Sequence, residues 1–311
     1  MSQTLKTRAL AAVAMIAGLS LGAASAEGGP LRDRMRERMA ERMQDRAAQE
    51  ARPVDLQAIA PGARKQTIAY GADPLQAIDV YAPPGARGAP VIVMVHGGAW
   101  KIGDKANSGS IENKLKHWLP KGYVFVSVNY RLLPQAMADE QAKDVAAAMR
   151  LVQAQAGEWG GDPRKVVLMG HSAGAHLVAL LSSRPSMVGQ PWAGTVVLDS
   201  AVMKVSSVMQ RPRRPDFYDE AFGTDPAGWS KVSPMDQWTR AAVPMLLVCS
   251  SQRPDKPCDE AKAFAELTAR SGVTTPVLPQ ALSHADINRT LGLPGVYTDA
   301  VDAFVRGRVL K

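Results

Sequence analysis

The chain predicts an α/β protein, a mostly parallel sheet with helices on both faces. Three observations carry that expectation. From residue 66 onward, short apolar runs alternate with helical apolar patterns, as when strands feed crossover helices. Val166-Val167-Leu168-Met169 reads as a strand buried on both faces, and it runs into Gly170-His171-Ser172-Ala173-Gly174 and an apolar helix through about Ser182. A second buried strand, Val91 to Val95, runs into the glycine loop His96-Gly97-Gly98-Ala99-Trp100. With 311 residues, 46% of them hydrophobic, the chain can build one large domain and a short extra segment.

Residues 1–26 read as a secretory leader. Lys6 and Arg8 precede the apolar run Ala9 to Ala23, and Ala24-Ser25-Ala26 offers a small-residue cleavage site. The run is too short for a comfortable membrane span. Export to the periplasm or beyond is therefore expected, and losing Lys6 and Arg8 lowers the net charge from +8 to +6. That charge suits solubility. The basic cluster Arg211-Pro212-Arg213-Arg214-Pro215 has no interleaved aromatics, so a nucleic-acid partner is not expected. In residues 27–52, Met35, Met39 and Met43 recur every four, as do Arg34, Arg38 and Arg42, which predicts a charged helical segment with a narrow apolar stripe.

The large domain, 53–311, opens with two strands, Gln66 to Tyr70 and Gln76 to Tyr81. The turn signal Gly71-Ala72-Asp73-Pro74 joins them, predicting an antiparallel pair at the sheet edge. After Val91 to Val95 come a helix over Asn113 to Leu119, the strand Tyr123 to Val128, and a helix over Ala136 to Ala156. Beyond the serine strand follow strands at Thr195 to Leu198, Met245 to Val248 and Thr275 to Leu278. Helices are expected over Asp259 to Arg270 and Tyr297 to Val305. Residues 201–239 carry no clean pattern but several aromatics, which predicts a folded lid or loop insertion.

The glycines around Ser172 permit a sharp strand-to-helix turn that exposes Oγ at a helix N-terminus. An activated serine needs a base, a group to orient the base, and donors for the oxyanion. Only His176 and His284 follow Ser172. His176 lies one helical turn on and points back poorly, so His284, after the last strand, is the expected base. For the acid the sequence favours Asp255, on the loop after Met245 to Val248, over Asp199 at the tip of the preceding strand; Asp259 suits a helix first turn. Cys249 and Cys258 flank the Asp255 loop and are expected to form a disulfide in an exported protein. The oxyanion donors expected are the Ala173, Gly97 and Gly98 amides. His96 is expected to brace its loop, Trp100 to wall the acyl pocket, and His171 to lie against substrate. His171 with His176 supplies too few ligands for a metal, so no metal is expected.

His96-Gly97-Gly98-Ala99-Trp100, Asn129-Tyr130-Arg131-Leu132, Gly161-Asp162-Pro163 and Gly170-His171-Ser172-Ala173-Gly174, in that order and spacing, resemble the α/β-hydrolase family. The likeness is to its small carboxylesterases related to hormone-sensitive lipase, over about residues 66–306. The resemblance implies a doubly wound, mostly parallel eight-stranded sheet and ester hydrolysis without a cofactor. The stretch from Gly170 to Leu177 is also similar to kynurenine formamidases. Many relatives carry Gly-x-x-Asp where this chain reads Ser250-Ser251-Gln252-Arg253, which puts the acid, though not Ser172 or His284, in question. The expectation is an exported serine esterase acting on a small-molecule or polysaccharide-linked ester, without a stable membrane span. An arylformamidase-like amide hydrolase and a non-catalytic binding protein on the same fold are the alternatives.

Overall fold

The computed structural model describes residues 52–310. The leader at 1–26 and, except for Arg52, the charged segment at 27–52 lie outside the described residues. Eight strands form one sheet: β1 (Arg64–Ala69), β2 (Ala77–Ala82), β3 (Ala89–Val95), β4 (Val124–Val128), β5 (Gly161–His171), β6 (Gly194–Leu198), β7 (Met245–Ser250) and β8 (Val277–Gln280). Their spatial order is β1-β2-β4-β3-β5-β6-β7-β8. β1 pairs antiparallel with β2, and β2 with β4, while every pair from β4 to β8 is parallel. The edge hairpin and the parallel body match the alternation in the sequence.

The strands from β3 to β7 are buried along nearly their whole length because helices cover both faces. Alternate residues of β3 divide between two apolar layers. Ile92 and Met94 pack with Ile111, Leu115 and Trp118 of one helix and Val301 and Val305 of another. Val91, Val93 and Val95 share the other layer with Val145 and Met149 and with Leu177 and Leu181. In chain order the helices are α1 (Leu56–Ile59), α2 (Ser108–Trp118), α3 (Ala138–Gln155), α4 (Ala173–Ser183), α5 (Val205–Met209), α6 (Phe217–Phe222), α7 (Pro226–Trp229), α8 (Pro234–Gln237), α9 (Pro257–Ala269), α10 (His284–Arg289) and α11 (Val296–Val309). Among the described residues, no helix is long and apolar enough to cross a membrane.

Two elements differ from the sequence expectation. Residues 201–239 hold four short helices, α5 to α8, each of six residues or fewer. Such pieces complete too few turns to show a period, and packing rather than propensity forms them. His284 is not in a loop but opens α10. Ser283 is the N-cap, its hydroxyl accepting from Asp286 N.

Candidate active site

β5 leads directly into Ser172, and α4 leaves from it. Ser172 has φ 57° and ψ −118°, a left-handed backbone that a serine adopts only where its surroundings force it. The flanking glycines give the room for this. A Cβ on Gly174 would collide with both Val95 O and His96 O, and one on Gly97 would lie 2.8 Å from His171 O and from Ser172 Cβ. The β5 turn and the loop after β3 are thus pressed together at backbone distance, which only glycine at those positions allows.

The expected base does reach the serine. His284 Nε2 lies 2.9 Å from Ser172 Oγ, and its Nδ1 lies 2.6 Å from Asp199 Oδ2. A proton on Nδ1 is donated to that carboxylate, which leaves Nε2 free to accept from the serine hydroxyl. The carboxylate against His284 is therefore Asp199 and not Asp255, which the sequence favours. The reason is reach. Asp199 stands at the very tip of β6, the strand next to β5, with φ 59° turning its side chain into the site. Asp255 sits farther out on the loop after β7 and is taken up by Arg253, whose Nε donates to its Oδ1 at 2.8 Å and whose Nη2 donates to its Oδ2.

Asp199 is fully buried and well satisfied. Its Oδ1 accepts from Ser250 N at 2.7 Å and its Oδ2 from Arg253 Nη1 at 2.8 Å. Burial by itself works against the ionised carboxylate. The bonds from His284, Ser250 and Arg253 outweigh that and hold Asp199 below the usual carboxylate range. Arg253 and its contacts are the feature that motif reading misses, and the only signal for it is the departure from Gly-x-x-Asp at Ser250-Ser251-Gln252-Arg253. The expected disulfide between Cys249 and Cys258 is present, joining the end of β7 to the first turn of α9 and closing the loop that carries Arg253 and Asp255.

The other residues singled out in the sequence lie around this centre. Ala173 is the first residue of α4, where amides have no intrahelical acceptor. Gly97 and Gly98 lie on the loop that touches Ser172. His96 donates from Nδ1 to Gly97 O at 2.8 Å, and its ring stacks on Tyr130, whose hydroxyl donates to His96 O at 3.0 Å. His171 is buried and donates from Nε2 to the backbone oxygen of His284 at 2.9 Å, so its ring supports the base instead of facing solvent. Burial, with the nearby His284 adding to it, pushes its pKa down to about 3, and it is neutral. Trp100 is 3% exposed beneath α6, with Phe222 at 4.9 Å and His176 at 5.5 Å between ring centroids. Lys101 ties α6 down through Glu220 at 2.7 Å. His176 donates to Val232 O at 2.7 Å and is a buried core residue, as its place on the helix implies.

α10 is held at both ends. At its far end the fully buried Lys114 of α2 donates to Asn288 O at 2.6 Å, to Asn288 Oδ1 at 2.8 Å and to Ser110 O at 2.8 Å. Burial pushes Lys114 down to about 7.

A serine at left-handed φ between a buried strand and a helix, with a histidine and a buried carboxylate in line on an eight-stranded, mostly parallel sheet, is the arrangement of the α/β-hydrolase fold, and this chain has that fold. The BD-FAE family matches residues 78–211. The chain is 29% identical to the esterase LipC of Mycobacterium tuberculosis, over 65% of this chain and 54% of that protein. It is 28% identical to the isoprenylcysteine alpha-carbonyl methylesterase of Arabidopsis thaliana, over 72% of this chain and 57% of that one. It thus spans little more than half the length of these two curated relatives. Among solved structures, esterase 2 of Thermogutta terrifontis, phosphonylated by sarin, shares the fold with a TM-score of 0.65 at 22% identity, covering 79% of this chain and 95% of its own.

Proposed function

We propose that this protein is an exported serine hydrolase that cleaves carboxylic esters through an acyl-enzyme. The observation that carries this is the unbroken line from Ser172 Oγ through His284 to Asp199, with separations of 2.9 and 2.6 Å. Ser172 Oγ bonds to the ester carbonyl carbon as its proton passes to His284 Nε2. The tetrahedral intermediate collapses, the bond to the alkoxy oxygen breaks, and His284 returns the proton to the departing alcohol. Water repeats the sequence on the acyl-enzyme and releases the acid. Asp199 orients the ring and stabilises the imidazolium. The Gly97, Gly98 and Ala173 amides receive the oxyanion, helped by the positive end of α4.

Residues 53–311 form the catalytic domain in this reading. Residues 201–239 are its lid, with α6 and Trp100 closing the acyl side. The ester-hydrolase names of the similar proteins favour esters over amides. The leader pattern at 1–26 and the Cys249–Cys258 bridge favour an oxidising compartment outside the cytosol.

The test is initial rates on p-nitrophenyl acetate, butyrate and octanoate and on N-formylkynurenine, for the protein without residues 1–26 and for its Ser172→Ala variant. Turnover of the short esters that falls by at least about 1,000-fold in Ser172→Ala is the expected result. Undiminished ester hydrolysis by that variant would overturn the assignment. Turnover of the formamide alone would move the protein to amide hydrolysis.

A further inference from the structure

Beside the base stand two charged side chains to which the hydrolytic cycle gives no part, and any role for them rests on the serine-hydrolase reading. Arg253 Nη1 lies 2.8 Å from His284 Nδ1, 2.8 Å from Asp199 Oδ2 and 3.3 Å from Asp199 O. A guanidinium does not deprotonate in proteins. Burial opposes its charge, but the bonds to Asp255 and Asp199 outweigh that and keep it cationic. When His284 takes the serine proton it becomes an imidazolium, and a cation within hydrogen-bond distance of the ring opposes that step. A lone arginine here would slow the reaction beside which it sits. Asp255 answers it, gripping the opposite edge of the same guanidinium with both carboxylate oxygens.

We propose that Arg253 is a positioning residue for the Asp199–His284 pair and that Asp255 is its counter-charge. Arg253 fixes the direction of the Asp199 carboxylate, whose other oxygen is fixed by Ser250 N. Asp255 balances the guanidinium, so the negative charge that stabilises the imidazolium is not cancelled. Because the Cys249–Cys258 bridge closes the loop bearing Ser250, Arg253 and Asp255, the three contacts arrive as one unit.

Other titratable groups face this assembly. The His171 ring lies 4.6 Å from that of His284, and Lys114 lies near His171. Asp286 shares α10 with His284. Tyr297, near Asp199, and Tyr218, near Asp255, are both kept un-ionised by burial. Asp255 also lines an open cavity of about 500 Å³ with Arg211, Lys256, Asp259 and Glu260. None of these residues is itself substituted when only Arg253 or Asp255 is changed, so the variants are compared against the same surrounding groups.

The experiment is the pH profile of kcat/KM on p-nitrophenyl acetate for the wild type, Asp255→Asn, Arg253→Met and the double variant, with Ser172→Ala as control. In Asp255→Asn the uncompensated guanidinium moves the acidic limb to lower pH and lowers the plateau roughly 10-fold, since a less basic imidazole transfers its proton less readily. In Arg253→Met the limb moves to higher pH and the plateau falls because Asp199 loses its guide. The double variant follows Arg253→Met, as Asp255 then has no charge to balance. Opposite shifts from two neighbouring changes are beyond what a purely structural loop would give. Asp255 is partly exposed at the loop surface, so Asp255→Asn carries the test even where Arg253→Met does not fold. An Asp255→Asn profile that superimposes on the wild type, or single shifts in the same direction, would overturn the proposal. Full activity in Ser172→Ala would instead overturn the hydrolase reading beneath it.

Discussion

Ser172 and Asp199 stand at the tips of the neighbouring strands β5 and β6, with φ 57° and 59°. What holds each in that unfavourable backbone is different. Around Ser172 the constraint is backbone against backbone: Gly97 and Gly174 let two turns close to a distance at which any side chain would collide. Around Asp199 the constraint acts on the side chain, from the backbone N–H of Ser250 at the end of β7, from Arg253 on the loop after it and from His284 on α10. The serine half of the site is therefore set by a few contiguous residues on each of two turns. The acid half is set by partners between about 50 and 85 residues away in sequence. The first kind of construction tolerates no side chain at Gly97 or Gly174. The second depends on which loop happens to reach the site.

Exchanging the two candidate acids tests that contrast most severely. Asp199→Asn should lower kcat by about 10,000-fold, because the amide no longer fixes the ring tautomer, whereas Asp255→Asn should stay within roughly 10-fold; steady-state rates on a short ester distinguish them, and equal losses would erase the distinction between the halves. Gly97→Ala should cost on the order of 100-fold through displacement of the serine and its oxyanion donors, read as a fall in kcat. Breaking Cys249–Cys258 should lower stability by about 2–3 kcal/mol in the chain-entropy model, measured by urea unfolding of the Cys249→Ser/Cys258→Ser variant.

The smallest effect at neutral pH concerns the core beneath the serine helix. His176 is buried, and burial pushes its pKa from 6.5 down to about 4, so the unfolded chain binds a proton that the folded one refuses. Its contribution to stability is complete above pH 6.5 and is lost as pH falls towards 4, at no more than about 1.4 kcal/mol per pH unit. His176→Gln keeps a donor for Val232 O and cannot titrate. Its stability should fall less steeply over that range than the wild type's, and parallel curves would assign the acid sensitivity elsewhere.

The same contrast explains what the sequence made readable. Strand and helix order, the edge hairpin and Ser172 follow from apolar runs and from a motif of contiguous residues, and His284 from the elimination of His176 and its place after the last strand. Asp199 could be narrowed to two candidates and no further, because the choice is made by strand neighbours and by Arg253 drawing Asp255 away, neither of which has a local pattern. The four helices of residues 201–239 are too short for periodicity. α10 was within reach: Ser283 followed three residues later by Asp286 is a helix-start signal.

The anchoring of α10 has a thermal consequence. Lys114 fastens its last turn, Ser283 caps its first, and His171 holds the backbone at His284 itself. The imidazole thus gives up its orientational freedom when the chain folds and not anew with each substrate. The rate of acylation should then vary with temperature mainly through bond-making enthalpy, until the helix itself comes loose.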